Sequence, residues 1–127
     1  MRLIVFGTEI RPALASALAE EGFQLEAAPT SAPGSGAVGA LAAGLRQAES
    51  ALGGDPPAAA VVAGGGDPAL AAALTAVKLG VPIAWIPPPD ADVQVHLTGR
   101  VADLTVEATE DARDGARAIA GLAASTL

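Results

Sequence analysis

Short apolar runs alternate with longer stretches of helical spacing five times along this chain, and nothing constrains its fold more. The runs occupy residues 3–6, 23–28, 58–63, 81–86 and 104–106. Residues 3–6 (Leu-Ile-Val-Phe) and 58–63 are apolar throughout, which suits strands buried on both faces, as parallel sheets require. In residues 23–28, Phe23, Leu25 and Ala27 alternate with Gln24 and Glu26, the pattern of a strand nearer a sheet edge. Between the runs, Pro12 suits a first helical turn, Leu14 and Leu18 lie four apart, and Gly22 is a stop signal. Val38, Leu41, Leu45, Ala48 and Leu52 form a second apolar stripe, and Leu70, Leu74 and Val77 a third, closed by Lys78 and Gly80. Pro87-Pro88-Pro89 cannot continue a ladder, so residues 90–101 read as a loop and short helix. Thr109 reads as the cap of a last helix with Glu110 and Asp111 in its first turn. Connections this short send each helix back over the sheet. The chain is therefore predicted to be α/β, a three-layer αβα, Rossmann-like single domain over residues 1–127 with a mostly parallel five-stranded sheet and right-handed crossovers.

Composition narrows the partners. At 127 residues one core is expected. Fourteen acidic against seven basic side chains give a net charge of -7, which argues against nucleic acid and anionic membranes. With no Cys there are no disulfides, zinc fingers or thiol nucleophiles, which fits a reducing compartment, the cytoplasm by default. The first apolar run is too short for a signal peptide, and the uncharged residues 27–45 are broken by Pro29, Pro33, Gly34 and Gly36, so no membrane span is read.

In such sheets ligands bind outside the carboxyl ends of the strands. Gly64-Gly65-Gly66-Asp67 follows the third run and opens a helix, a place where backbone N–H groups can approach a phosphate. The same residues also suit a bare strand-to-helix turn with Asp67 as N-cap and Pro68 first in the helix. Gly7, Thr8, Glu9 and Arg11 follow the first run; the Arg11 fork suits a phosphate or carboxylate, or an ion pair in a solvated loop. Gly34-Ser35-Gly36-Ala37-Val38-Gly39 matches a dinucleotide fingerprint formally but follows the second run rather than the first. His96 stands alone, without triad or metal-ligand spacing, so no metal site and no cofactor are read. Trp85 suits a stacking face for a base or sugar, an interface, or a core filler. Asp90 and Asp92 are candidate acids or solvated loop charges.

Taken in order, Phe6-Gly7-Thr8 with Arg11-Pro12, Val61-Val62-Ala63-Gly64-Gly65-Gly66-Asp67, Lys78-Leu79-Gly80-Val81-Pro82-Ile83-Ala84-Trp85, Leu97-Thr98-Gly99-Arg100-Val101-Ala102-Asp103-Leu104 and Ala108-Thr109-Glu110-Asp111-Ala112-Arg113 resemble the N-terminal half of the non-hydrolysing UDP-N-acetylglucosamine 2-epimerases. In that family two Rossmann-like domains enclose a UDP-sugar, and UDP is eliminated and returned with inversion at C2. The resemblance implies that Asp67 falls on an acidic position important for catalysis, and that Gly7, Thr8 and Arg11 fall on a substrate-contacting Gly-Thr-Arg-Pro loop, here interrupted by Glu9 and Ile10. It also implies losses. Pro87 stands where the family has a catalytic Glu, Asp92 is the only acid in a stretch that should carry two Glu, and no counterpart of the second domain is present.

Two functions are then expected. One is an epimerase-like half-domain without turnover of its own, a binding or docking module for a UDP-sugar or other anionic small molecule, associating as a homo-oligomer or with a separately encoded partner subunit. The other is a sugar-nucleotide epimerase completed by a partner chain, with Asp67 and Asp92 as acid or base and Gly64, Gly65 and Gly66 holding the pyrophosphate.

Overall fold

The structure is a computed structural model that describes residues 1–7, 10–28, 36–88, 93–107 and 111–125. Strands and helices alternate strictly: β1 (Arg2–Phe6), α1 (Pro12–Glu20), β2 (Gln24–Ala28), α2 (Gly36–Leu52), β3 (Ala59–Ala63), α3 (Gly66–Leu79), β4 (Ile83–Ile86), α4 (Val93–Val101), β5 (Leu104–Thr105) and α5 (Ala112–Ala124). The five strands form one sheet in the order β2-β1-β3-β4-β5, and every pairing is parallel. β3, at the centre, is apolar and buried along its whole length, whereas β2 at the edge shows its polar side chains to solvent.

Because side chains alternate across a strand, each apolar run supplies two cores. Leu3, Val5, Val61, Ala63, Ala84 and Ile86 meet Leu14 and Leu18 of α1 and Ile119 of α5. On the other face Ile4, Phe6, Val62, Ile83 and Trp85 meet Ala48 and Leu52 of α2 and Ala72 and Ala76 of α3. Helix α3 lies between α2 and α4, and α1 packs beside α5. The connection from β1 to β2 runs one way through α1 on the first face. Those from β2 to β3, β3 to β4 and β4 to β5 run the opposite way through helices on the second face, so all crossovers share one hand.

Several local expectations change. Of the stripe of Leu70, Leu74 and Val77 only Leu70 is buried in α3; the rest of the buried face is made by Ala69, Ala71, Ala72, Ala73 and Ala76, while Leu74 is half-buried and Val77 is 50% exposed. A helix enclosed by the sheet and by neighbours on both sides needs small side chains where backbones approach. At Gly44 of α2, an added Cβ would lie only 2.9 Å from the Ala71 Cβ of α3. Val38 likewise leaves the stripe and is exposed. The last helix is capped by Asp111, whose carboxylate accepts the N–H groups of Arg113 and Asp114 at 2.9 and 3.3 Å. Thr109 and Glu110 lie outside the described residues. Among the described residues no helix is long and apolar enough to cross a membrane.

Candidate functional site

The strand order reverses direction between β1 and β3: the chain leaves β1 towards α1 on one face and leaves β3 towards α3 on the other. This makes the carboxyl ends of β1 and β3 the switch point of the sheet, the place where open α/β sheets bind ligands. Gly7 and the Gly64-Gly65-Gly66-Asp67 turn sit at that rim.

The pairing of Phe6 with Val62 brings Gly7 beside Ala63. Gly7 has a φ of 102°, and a Cβ there would come within 2.4 Å of the Ala63 carbonyl oxygen, so only glycine fits. Gly64 and Gly66 also have positive φ, 97° and 79°. Gly65 is the N-cap of α3, with extended backbone and no side-chain cap. Asp67 therefore does not cap the helix, contrary to the sequence reading. It lies inside the first turn, where a carboxylate is favoured by the helix dipole. Pro68 follows it and has no N–H, which leaves Gly65, Gly66 and Asp67 as the backbone donors of this helix terminus. Three donors on glycine-rich backbone suit an anion, and the half-buried carboxylate beside them suits a hydroxyl.

The turn is tethered to β4. The Gly64 N–H donates to the Ile86 carbonyl at 2.9 Å, and the indole Nε1 of Trp85 donates to the Gly64 carbonyl at 2.9 Å. Trp85 is only 6% exposed, so it offers no stacking face to a ligand and serves as a core filler. Arg11 occupies the N-cap position of α1 at the same rim, half-buried, ahead of Pro12. Gly7, Arg11, Gly64, Gly65, Gly66 and Asp67 thus share the carboxyl rim. Thr8, Glu9, Asp90 and Asp92 lie outside the described residues, as do Gly34 and Ser35 of the formal fingerprint; Gly36 begins α2. The side chain of His96 is likewise not described. Among the described residues no group of three or more His, Cys, Asp or Glu is placed to hold a metal ion.

The opposite rim differs in character. A hollow of about 550 Å³ there is lined by Arg2, Asp55, Pro57, Leu79 and Pro82, among others. The Arg2 guanidinium is already engaged, donating to the Asp55 carbonyl and lying 3.8 Å from Glu26.

Sequence order alone did not reveal the Trp85 tether or the close approach of Gly7 to Ala63. A glycine directly after an apolar run was the visible sign of the second; the first has no local signal, since its partners lie 21 residues apart.

The strand order defines an α/β domain with a switch point between β1 and β3, and known structures of this fold can be named. Methanocaldococcus jannaschii UDP-GlcNAc 2-epimerase, solved in complex with UDP-GlcNAc and UDP, matches at a TM-score of 0.69 and 22% identity over 93% of this chain and 43% of that one. The Neisseria meningitidis UDP-GlcNAc 2-epimerase bound to UDP-GlcNAc matches at 0.67 and 18% identity, over 94% of this chain and 43% of that one. S. aureus MnaA, in a co-structure with UDP, matches at 0.69 and 18% identity, over 92% of this chain and 40% of that one. The chain therefore resembles, in fold, a half-domain of UDP-GlcNAc 2-epimerases and spans about two fifths of their length. No protein-family model and no curated protein sequence matches the chain, so this likeness is one of structure.

Proposed function

We propose that this chain is a nucleotide-sugar-binding half-domain that holds a UDP-sugar or a related diphosphate at the carboxyl rim and does not turn it over alone. One observation carries the reading: the β1/β3 switch point joins the Gly7 segment to the Gly64-Gly65-Gly66-Asp67 turn, on a fold whose structural neighbours were solved with UDP or UDP-GlcNAc. The backbone N–H groups of Gly65, Gly66 and Asp67 would receive phosphate oxygens. The Asp67 carboxylate, which repels phosphate at close range, would accept a sugar hydroxyl. Elimination and return of UDP needs a paired acid and base, and Pro87 supplies neither where the resemblance implies a Glu. A second lobe, from another copy or a partner chain, would close over the rim.

Calorimetric titration with UDP and UDP-GlcNAc tests this. Micromolar binding, about −8 kcal/mol, is the expected result. Asp67→Asn should weaken UDP-GlcNAc roughly tenfold, the scale of one hydrogen bond to a charged group, without weakening UDP. Absence of binding by either ligand at millimolar concentration overturns the reading.

A second reading, a sugar-nucleotide epimerase completed by a partner chain, is favoured by the placement of Asp67 in the first turn of α3 beside the donors. It requires solvent deuterium to enter C2 of UDP-GlcNAc when a partner is added, and Asp67→Asn to abolish that exchange. Equal exchange by the variant excludes the role.

A further inference from the structure

We propose that Trp85 is a positioning residue: its indole sets the orientation of the Gly64-Gly65-Gly66-Asp67 turn and ties that turn to α4. What this means for a ligand rests on the reading above; the positioning itself stands on geometry. The Trp85 Nε1–H donates to the Gly64 carbonyl from a ring that is 6% exposed. The carbonyl of Gly64 and the N–H of Gly65 belong to one planar peptide, and in a trans peptide they point in opposite directions. Holding that carbonyl down on the indole therefore aims the Gly65 N–H, the first donor of the α3 terminus, away from it. The Gly64 N–H is fixed as well, on the Ile86 carbonyl, so the peptide groups on both sides of this φ 97° glycine are held by β4. An apolar side chain of equal size would fill the same space without orienting the turn.

The far side of the ring meets α4. A Cβ at Gly99 would lie 3.0 Å from Cζ3 and 3.7 Å from Cε3 and Cη2 of Trp85. The indole is thus in contact with α4 backbone on one side and bonded to the turn on the other, and a side chain at position 99 can reach the turn only by pushing the ring.

The test removes the N–H and nothing else, by incorporating β-(3-benzothienyl)alanine, in which sulfur replaces the indole N–H, at position 85 of the ligand-free chain. Amide hydrogen exchange at Gly64 is expected to accelerate at least tenfold. Backbone order parameters at Gly65, Gly66 and Asp67 should fall from about 0.85 towards about 0.6, with Val61 and Val62 unchanged. Gly99→Ala should loosen the same amides by displacing the ring, and should add nothing when combined with the analogue. Unchanged turn amides in the analogue, or loosening no greater than in β3, would overturn the proposal; the analogue alone decides this if Gly99→Ala does not fold. All these readouts are ligand-free, so a wild-type chain that fails to bind UDP removes the ligand reading and leaves this one standing. Where UDP does bind, the analogue should bind it about tenfold more weakly, and equal affinity would contradict the positioning role.

Discussion

Gly7 is the position where one atom matters most. Its backbone is in a region L residues avoid, and the nearest obstacle to a Cβ is the carbonyl of Ala63, backbone of the central strand β3. Gly7→Ala is expected to cost at least about 2 kcal/mol, from strain and steric conflict together, measurable by urea denaturation. An effect under about 0.5 kcal/mol would mean that β1 and β3 do not approach this closely. Much of the candidate site was legible at this scale, because an apolar run followed by glycine marks a strand end whether or not the partners are known. The role of Asp67 was misassigned as a cap because Asp before Pro is a common helix start. Three consecutive glycines, two of them at positive φ, let the helix begin two residues earlier, at Gly66 rather than Pro68, and Gly65 takes the cap position instead.

Among the elements, α3 separates what periodicity can reveal from what packing decides. The apolar spacing indicates the helix and its buried Leu70 but not the rest of the buried face, since a helix covered on several sides shields whichever residues lie nearest other backbones. Ala72→Leu or Ala73→Leu should destabilise by about 1 to 3 kcal/mol through overpacking, whereas Val77→Ser should change stability by less than about 0.5 kcal/mol. Thermal unfolding of the set would check the assignment, and a costly Val77→Ser would restore the leucine stripe. At α5, Asp111→Ala removes the side-chain cap and should cost about 1 kcal/mol. The edge placement of β2 followed from its alternation, because only a strand with one wet side can afford Gln24 and Glu26.

For the whole molecule, five alternating units were enough to infer an αβα sandwich. The order β2-β1-β3-β4-β5 was not legible, because short apolar runs carry no label of their neighbours; common handedness and helices on both faces narrow the possible orders without selecting this one. That order creates the β1/β3 switch point and sets the carboxyl rim, with its glycine turns, apart from the proline-lined hollow at the other end. The claim that ligand belongs to the first rim can be read directly by titrating UDP into the ¹⁵N-labelled chain and following backbone amides. Gly7, Gly64, Gly65, Gly66 and Asp67 are expected to shift in a saturable way, while Gly54 and Gly80 at the far rim stay still. Saturable shifts confined to Gly54 and Gly80, or none at millimolar UDP, would contradict it.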